Sequence, residues 1–471
     1  MMFRTELRAD QRLDPPRDVA LPCRRAVGAE QVFAELPRGR RAPLALAADD
    51  IFRHALANDG ARRFSGLGAI AVERFFQIGS QSERFGHGLY LVIQIVKVYH
   101  DNEDSVKHLL LVGGGHSHLA VLQSFGDAPA EGVQLSLLSP SRHAFYSGMV
   151  PGVVAGHYRP EDCRIDLGAL AARAGARLIE DSATGVDPAR REVVTAQGER
   201  LRYDILSLDV GSATGEPAGA TERALRVRPV EAFLAGWERL RESARGGEVR
   251  SIAVIGGGAG GVEVLLAMQH ALAGVAVEFA LFSELPILAG HGARRAIVRI
   301  LGARGVAVHS GQKVLVVNKD GVGLDGGEHF DAQASVWATG ASAPSWIAQS
   351  GLATDPLGFV AVSDTLQSRS HPEVFAAGDV ASVMGGARPK SGVFAVRQGP
   401  VLARNLRRAL TGEAPEPFRP PSRSLALISC GDRYAVASWG RLALEGAWVW
   451  RWKDRIDRRF VERYRSGTAE S

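Results

Sequence analysis

Ser251-Ile-Ala-Val-Ile-Gly-Gly-Gly-Ala-Gly-Gly-Val-Glu263 is the stretch that decides the fold, because a β-branched apolar run ends abruptly in glycines and an apolar helical pattern follows. This order predicts a strand, a tight turn and a helix. Gly256, Gly258 and Gly261 have the G-x-G-x-x-G spacing of a loop that binds a dinucleotide. The first glycine permits the turn, the second lets the backbone approach a pyrophosphate, and the third lets the helix pack on the strand. The helix N-terminus would then present N–H groups and a positive dipole to the phosphates.

A second unit of the same kind lies upstream and strengthens this prediction. The apolar run Leu109–Val112 leads into Gly113-Gly-Gly-His-Ser-His118, and a further strand pattern, Val133–Leu138, ends at Ser139. His118 occupies the third glycine position, which predicts a looser contact between helix and strand. Ser139 stands where an acidic residue often binds ribose hydroxyls, and its hydroxyl can make one hydrogen bond there but not a bidentate pair.

The two units follow the same order, which indicates an internal duplication of a nucleotide-binding unit. Residues 253–263 and 275–283 repeat the strand, loop, helix and strand of residues 109–139. In the second unit Ser283 takes the acidic position, and Glu284 stands one residue late. A Glu284 side chain that turns toward the ribose would favour NADH, whereas one that points away would tolerate NADPH, and both outcomes stay open.

Three more extended apolar runs end in glycine or in Gly-Asp. They are residues 203–212, with Gly211, residues 335–340, with Gly340, and residues 371–380, with Gly378-Asp379. The loop Phe145–Val153 carries glycine, proline and aromatic residues. It suits either a wall against a flat ring or a plain surface turn.

The composition is that of an ordinary globular protein with two or three domains. The 471 residues are 46% hydrophobic and carry a net charge of +5, with basic residues spread along the chain, so nucleic acid is not expected as a partner. Cys23, Cys163 and Cys430 form no C-x-x-C pair or metal-binding cluster, so we expect a reduced, cytoplasmic protein without a metal site. No apolar run reaches the roughly 18 residues of a membrane-spanning helix, so any membrane contact would be peripheral, on the inner face.

Residues 1–105 show no pattern of loops or strands related to the units that follow. Within them, Phe75–Ser80 and Arg84–Val92 resemble the glycine box of the ATP-binding domain of sensor histidine kinases. A Gly-Leu pair of that box is missing, and we find no upstream helix with a magnesium-binding asparagine. We therefore expect a remnant, a fusion scar or an over-extended start rather than a working ATPase.

In the order of these segments, residues 106–415 resemble the two-dinucleotide flavoproteins of the pyridine nucleotide-disulfide oxidoreductase superfamily. The resemblance implies that the first loop binds FAD, that the second binds NAD(P)H, and that the aspartate after the last glycine holds the flavin ribityl chain. The cofactor-binding residues implied in this way are Gly113, Gly114, Gly115, His116, Ser117, Ser139, Gly211, Gly256, Gly258, Gly261, Ser283, Glu284, Gly340, Gly378 and Asp379.

The resemblance also implies an α/β fold with two Rossmann-like, three-layer dinucleotide-binding domains. The NAD(P)-binding domain would be inserted in the FAD-binding domain, and a small α+β region would follow. The expected boundaries are 1–105 for an N-terminal extension, 106–240 and 334–415 for the two parts of the FAD-binding domain, 250–333 for the NAD(P)-binding domain, and 420–471 for the C-terminal region.

Within the superfamily the chain is similar to type II NADH dehydrogenase-like proteins, in particular to the flavoprotein module found fused to selenide, water dikinase. The Gly-Gly-Gly-His-Ser-His loop, Tyr146–Gly152 and Trp450–Asp457 carry this resemblance. The given sequence contains no kinase half, so a role in selenium metabolism is only an association.

The cysteines depart from the pattern of the disulfide reductases, which place two cysteines a few residues apart beside the flavin. Cys163 and Cys430 each lack a partner in sequence. We therefore expect hydride transfer from C4 of NAD(P)H to flavin N5 and direct passage of electrons to a quinone or another small acceptor, without a redox-active disulfide. The alternative is a low-turnover redox-sensing flavoprotein linked to selenium metabolism. The oligomeric state stays open.

Two residues are candidates for a part in the reaction. Gln398 lies on a helix predicted to begin near Ser391 and Gly392, whose N-terminal dipole would stabilise charge on the reduced flavin. Gln398 either approaches the flavin or a quinone headgroup, or is an exposed helical glutamine. Glu263 either orients the nicotinamide or is a carboxylate of the first helical turn that favours the dipole.

The C-terminal region ends in three tryptophans and an arginine-rich helical pattern. The tryptophans at 448, 450 and 452 alternate as in a strand, which favours packing against the flavin-binding domain or a partner. Tryptophans with basic neighbours also suit a membrane surface, which is the alternative.

Overall fold

A computed structural model describes residues 106–214, 224–318, 321–383, 390–420 and 425–465. The kinase-like glycine box predicted within residues 1–105 lies outside these ranges.

The first part of the described chain alternates strands and helices. Its elements are β1 (Lys107–Val112), α1 (His116–Asp127), β2 (Val133–Ser139), β3 (His143–Phe145), α2 (Val150–Val154), β4 (Arg164–Asp166), α3 (Leu167–Arg173), β5 (Arg177–Glu180), β6 (Ala183–Asp187), β7 (Glu192–Thr195), β8 (Arg200–Arg202), β9 (Ile205–Leu208) and β10 (Ala213–Thr214). The middle part holds β11 (Ala224–Arg226), α4 (Val230–Arg245), β12 (Ser251–Ile255), α5 (Ala259–Ala271), β13 (Glu278–Ser283), α6 (Arg294–Ala303), β14 (Ala307–Ser310), β15 (Val314–Asn318), β16 (Gly321–Leu324), β17 (His329–Asp331) and β18 (Ala334–Trp337). The last part holds β19 (Ala341–Ser342), α7 (Ser345–Ala348), β20 (Val360–Val362), β21 (Val374–Ala376), β22 (Ala381–Val383), α8 (Gly392–Thr411), β23 (Leu425–Ser429), β24 (Ala435–Trp439), β25 (Leu442–Gly446) and α9 (Ala447–Arg465).

The first large sheet is parallel, with the strand order β21-β9-β1-β2-β5. Leu109, Leu110 and Leu111 of its central strand are fully buried. A parallel sheet that is covered on both faces needs apolar residues on both sides of each strand, which explains the unbroken leucine run. Its edge strand β21 comes from the chain that follows the second sheet.

The second large sheet is also parallel, with the order β11-β18-β12-β13-β14. Because all its strands lie between β9 and β21 in the chain, the second unit is inserted in the first, and the predicted fold class is confirmed. β11 pairs with β18, so this sheet begins at residue 224 and ends at residue 337. It therefore extends beyond the expected range of 250–333 at both ends.

Helices α1 and α8 pack against each other beside the first sheet. The hydroxyl of Ser117, at the start of α1, donates a hydrogen bond to the carbonyl oxygen of Ala395 on α8 at 2.8 Å. This contact brings the N-terminus of α8 close to the first glycine loop.

The C-terminal region is a three-stranded antiparallel sheet, β23-β24-β25, followed by α9, which agrees with the predicted α+β region. The expectation that the tryptophans alternate as in a strand is wrong, because they lie on α9. Trp448 and Trp452 are one helical turn apart, stack on each other and are 48% and 40% exposed. None of the helices in the described part of the chain combines the length and the apolar character that crossing a bilayer requires.

Candidate functional site

The two predicted glycine loops have the same geometry. Gly113 and Gly256 have φ values of +96° and +129°, a region that side chains rarely adopt. A Cβ on Gly113 would overlap the carbonyl oxygen of Asp209, and a Cβ on Gly256 would overlap that of Ala338. Each loop therefore lies against the end of a neighbouring strand. The other predicted loop residues lie beside these turns: Gly114, Gly115, His116 and Ser117 at the start of α1, Gly258 and Gly261 at the start of α5, and Gly211 and Gly340 after β9 and β18.

The third glycine position differs between the loops. A Cβ on Gly261 would overlap the carbonyl oxygen of Gly256, so α5 packs directly on its loop. In the first loop His118 is fully buried, with Nδ1 2.6 Å from the oxygen of Gly113 and Nε2 2.8 Å from the hydroxyl of Ser207. Burial lowers the pKa of His118 to about 4, so the ring is neutral. The predicted looser contact is therefore a hydrogen-bonded one, because the imidazole links helix, loop and strand.

The serines at the ends of β2 and β13 each donate a hydrogen bond to the carbonyl oxygen two residues further along the chain. The hydroxyl of Ser139 donates to the oxygen of Ser141 at 2.8 Å, and that of Ser283 donates to the oxygen of Leu285 at 2.6 Å. Both serines are buried, whereas Glu284 is exposed. The hydroxyl protons of the two serines thus stabilise the turns, and their remaining lone pairs are the part that a ribose hydroxyl could contact.

The turn at Gly378 and Asp379 is held from two sides. Gln398 is only 4% exposed, and its side-chain oxygen accepts the N–H of Gly378 at 2.7 Å, so it is not an exposed helical glutamine. Arg228 donates to the Asp379 carboxylate at 3.2 Å and to the hydroxyl of Ser212 at 2.7 Å. No motif in the sequence singles out Arg228, and its role beside Asp379 follows from the tertiary contact.

Asp209 is a site residue that the sequence reasoning did not select. It is 2% exposed, and its carboxylate accepts the N–H groups of Ser117 at 2.7 Å and His118 at 3.1 Å. The only signal in the sequence is its place two residues before Gly211, where the second unit has Ala338 two residues before Gly340. An acidic side chain thus caps the helix of the first loop.

His116 lies where three segments meet. A Cβ on Gly392, the first residue of α8, would be 3.7 Å from the His116 ring and 3.5 Å from the Ser147 hydroxyl. The His116 ring is edge-on to Tyr146, with ring centroids 5.4 Å apart. Its buried Nε2 has no hydrogen-bond partner among the described residues, and burial lowers the pKa of the ring. A neutral imidazole with an unpartnered buried nitrogen is suited to a hydrogen bond with a bound ligand.

Glu263 is not a free carboxylate of the first helical turn. It lies on α5 and accepts the N–H of Ser429, the last residue of β23, at 2.8 Å. Burial raises the pKa of Glu263 to about 7, and the ammonium group of Lys453 opposes this shift. Glu263 therefore joins the helix of the second loop to the C-terminal sheet.

A buried ion pair on α9 contacts the segment Phe145–Val153, which we call the aromatic loop. The side chains of Lys453 and Asp457 are 11% and 6% exposed and lie 2.6 Å apart. Lys453 also donates to the oxygen of Gly148 at 2.7 Å, and Tyr146, hydrogen-bonded to Asp457, stacks on Phe460 with ring centroids 4.3 Å apart. The aromatic loop is therefore packed under α9 and is not a plain surface turn.

Cys163 and Cys430 are both buried and free. Burial raises the pKa of each thiol to about 12, so neither forms a thiolate readily at neutral pH. No group of histidine, cysteine, aspartate and glutamate side chains in the described ranges is arranged to hold a metal ion.

Comparisons with known proteins agree with this geometry. The family model of pyridine nucleotide-disulphide oxidoreductases matches residues 107–399. An NADH dehydrogenase-like protein of Mycobacterium tuberculosis is 32% identical over 47% of this chain, and the match spans 59% of that relative, less than two thirds of its length. A type II NADH:quinone oxidoreductase of Staphylococcus aureus is 22% identical over 66% of this chain and 85% of its own. The structure of the sulfide:quinone oxidoreductase of Aquifex aeolicus superposes with a TM-score of 0.67 at 19% identity, over 77% of this chain and 92% of that one.

The family resemblance predicted from the two loops is thereby confirmed, and with it the expectation of a family that uses FAD and NAD(P)H. The association with selenide, water dikinase is not tested by these matches. The matched segment covers more than half of the sequence and contains both glycine loops, so this chain belongs to the pyridine nucleotide-disulphide oxidoreductase family.

Proposed function

We propose that the protein is a FAD-dependent oxidoreductase that accepts hydride from NAD(P)H and passes the electrons to a quinone or another small acceptor. The observation that carries this proposal is the pair of glycine loops with one geometry, each at the carboxyl end of a parallel sheet. In open α/β sheets this edge is where dinucleotides bind.

The residues of the first unit fit FAD. The first loop leads into the N-terminus of α1, where N–H groups and the helix dipole suit a pyrophosphate, and Asp379 offers a carboxylate to ribityl hydroxyls. The buried Nε2 of His116, in the first turn of α1, is left without a hydrogen-bond partner among the described residues and is available to a bound ligand. FAD supplies the ring that accepts and releases electrons when it is bound there. The N-terminus of α8 lies close by and stabilises negative charge.

The residues of the second unit fit the nicotinamide nucleotide. Gly256, Gly258 and Gly261 form the loop, and α5 directs its N-terminal dipole toward it. Glu284 is exposed at the end of β13, one residue after Ser283. Comparing kcat/KM for NADH and NADPH in the protein and in Glu284→Gln tests whether this carboxylate sets the preference.

The state of Cys163 and Cys430 fits direct transfer of electrons from the flavin to the acceptor. Both cysteines are buried, and burial raises the pKa of each thiol. Passing electrons through these thiols would require the protein to open and expose them, which is energetically costly. The names of the quinone reductases among the relatives and solved structures support a quinone as acceptor.

The purified protein is expected to show the visible absorption of oxidised flavin, and anaerobic NADH is expected to bleach it because hydride passes to the flavin. Steady-state oxidation of NADH with a soluble quinone is then expected to consume the two in equal amounts. A protein without flavin absorption would contradict the proposal. Bleaching without turnover would instead favour the redox-sensing alternative.

The exposed apolar face of the C-terminal region supports peripheral contact with an anionic membrane surface. Trp439, Leu442 and Leu444 of the sheet are 54%, 67% and 60% exposed. Trp452 on α9 lines the same surface, and Trp448 stacks on Trp452. Arg441, Arg451 and Arg455 are exposed and adjoin these residues in the sequence. Tryptophans with cationic neighbours are favoured at the interface of a bilayer.

The protein is expected to sediment with phosphatidylglycerol vesicles, and the double substitution Trp448→Ser/Trp452→Ser is expected to lower the bound fraction about tenfold because it removes interfacial apolar area. Leu357→Ser is the matched control, since Leu357 is 74% exposed outside this region. Equal sedimentation of all three proteins would contradict this surface, and failure of the unaltered protein to sediment would exclude it.

A further inference from the structure

The two glycine loops occupy equivalent places in their units, but the residue at the end of the neighbouring strand presents a different side chain to the start of the helix. The N–H of Asp209 donates to Val112 at 2.8 Å, and the N–H of Ala338 donates to Ile255 at the same distance. Asp209 and Ala338 therefore occupy the same place in the two units. One contributes a carboxyl group and the other a methyl group, which accepts no hydrogen bond.

The carboxyl group of Asp209 lies between the two segments that frame the first loop. A Cβ on Gly115 or on Gly378 would overlap its oxygens, so it touches both glycines. Its Oδ2 accepts the N–H groups of Ser117 and His118, which belong to the positive end of α1. A carboxylate already stabilised by this helix end competes electrostatically with any further anion there.

Resting on the proposed function, we propose that Asp209 sets the affinity of the first loop for FAD and couples FAD binding to uptake of a proton at its carboxyl group. The physical reason is that the diphosphate of FAD and an ionised Asp209 would both draw on the N-terminus of α1, and like charges at one site repel. Protonation of Asp209 removes that repulsion while the side chain keeps its place.

Asp379, Arg228, His116 and His118 are the charged and titratable groups around Asp209. Asp379, from the turn before α8, carries a like charge that is partly offset by its pair with Arg228. His116 and His118 on α1 are kept neutral by burial. Burial, reinforced by Asp379, raises the pKa of Asp209 to about 7, against the hydrogen bonds from α1. The approach of a diphosphate raises this pKa further.

The sign of the pH dependence follows from this raised pKa. Below about pH 7 Asp209 is already protonated and FAD binds at full affinity. As the pH rises through this value, binding must take up a proton, and the affinity falls by up to about tenfold per pH unit until the pKa of the bound state is reached.

The test measures release of FAD from the full-length holoprotein on dilution, by the rise in flavin fluorescence. The dissociation constant of the unaltered protein is expected to rise about tenfold or more between pH 7 and pH 9. Asp209→Asn removes the charge and keeps the shape, so its dissociation constant is expected to stay flat and to be about tenfold lower than that of the unaltered protein at pH 9. Asp209→Ala reproduces the second unit and is expected to abolish the slope in the same way.

Asp331→Asn is the matched control, because the Asp331 side chain is 98% exposed on β17. Its slope is expected to equal that of the unaltered protein. Bound flavin with the same slope in all four proteins would overturn this inference and leave the proposed function standing. A protein that holds no flavin at any pH would overturn both.

Discussion

Replacement of Gly261 by alanine is expected to weaken NAD(P)H binding about 10- to 100-fold while the protein keeps its flavin. The new Cβ would overlap the carbonyl oxygen of Gly256, so helix α5 must shift away from the second loop. Overpacking of this kind costs about 1 to 3 kcal/mol, and 1.4 kcal/mol corresponds to a tenfold change in affinity. The measurement is the dissociation constant of NADH, with the flavin absorption per protein as the second readout.

Gly260→Ala is the matched control for this substitution. Gly260 is the preceding residue on the same helix, and a Cβ there would meet no atom within 4 Å. Its NADH affinity is expected to stay within about twofold of the unaltered protein, because alanine also favours the helix. An unchanged affinity in Gly261→Ala would contradict the assignment of this loop to the nucleotide. Loss of flavin in that variant would contradict the expectation that the first loop binds FAD independently of the second loop.

Replacement of Lys453 by methionine is expected to lower the free energy of unfolding by about 3 to 5 kcal/mol. Lys453 and Asp457 are almost fully buried, and the ammonium group also holds the oxygen of Gly148. Without it the carboxylates of Asp457 and Glu263 lose the cation that they share. An uncompensated buried charge is far more costly than a missing pair. Urea denaturation of the holoprotein measures the change.

Two further variants separate the charge from the packing. Lys313→Met alters an exposed lysine, so its stability is expected to change by less than about 0.5 kcal/mol. The double substitution Lys453→Met/Asp457→Leu removes both charges of the pair and is expected to recover part of the loss, because apolar pairs often replace buried ion pairs well. Equal free energies of unfolding for Lys453→Met and Lys313→Met would show that the Lys453–Asp457 pair does not stabilise the protein.

The glycine loops were predictable because their constraints are local. A turn that needs a positive φ at Gly113 or Gly256 selects glycine at that position whatever surrounds it. The unbroken apolar runs before each loop indicate strands buried on both faces, and their repeated order indicates a duplicated parallel α/β unit. For the same reason the resemblance to a known family could be read from a few short motifs.

The C-terminal tryptophans were not predictable in the same way. Residues 448, 450 and 452 satisfy a period of two in sequence, but the arginine-rich segment around them forms a helix whose buried residues include Val449, Phe460 and Val461. Short apolar patterns are compatible with either element, and packing on the C-terminal sheet decides between them.

By itself the sequence determined the fold class, the two loops and the family, because each depends on local backbone sterics and on the order of short segments. The tertiary structure decided what surrounds the loops. Asp209 meets Ser117 across 92 residues, and Arg228 meets Asp379 across 151. Such pairs leave no periodic signal in the chain, because only the closing of the sheets brings them together. The electrostatics of the first loop are therefore a property of the fold, although its glycines are a property of the sequence.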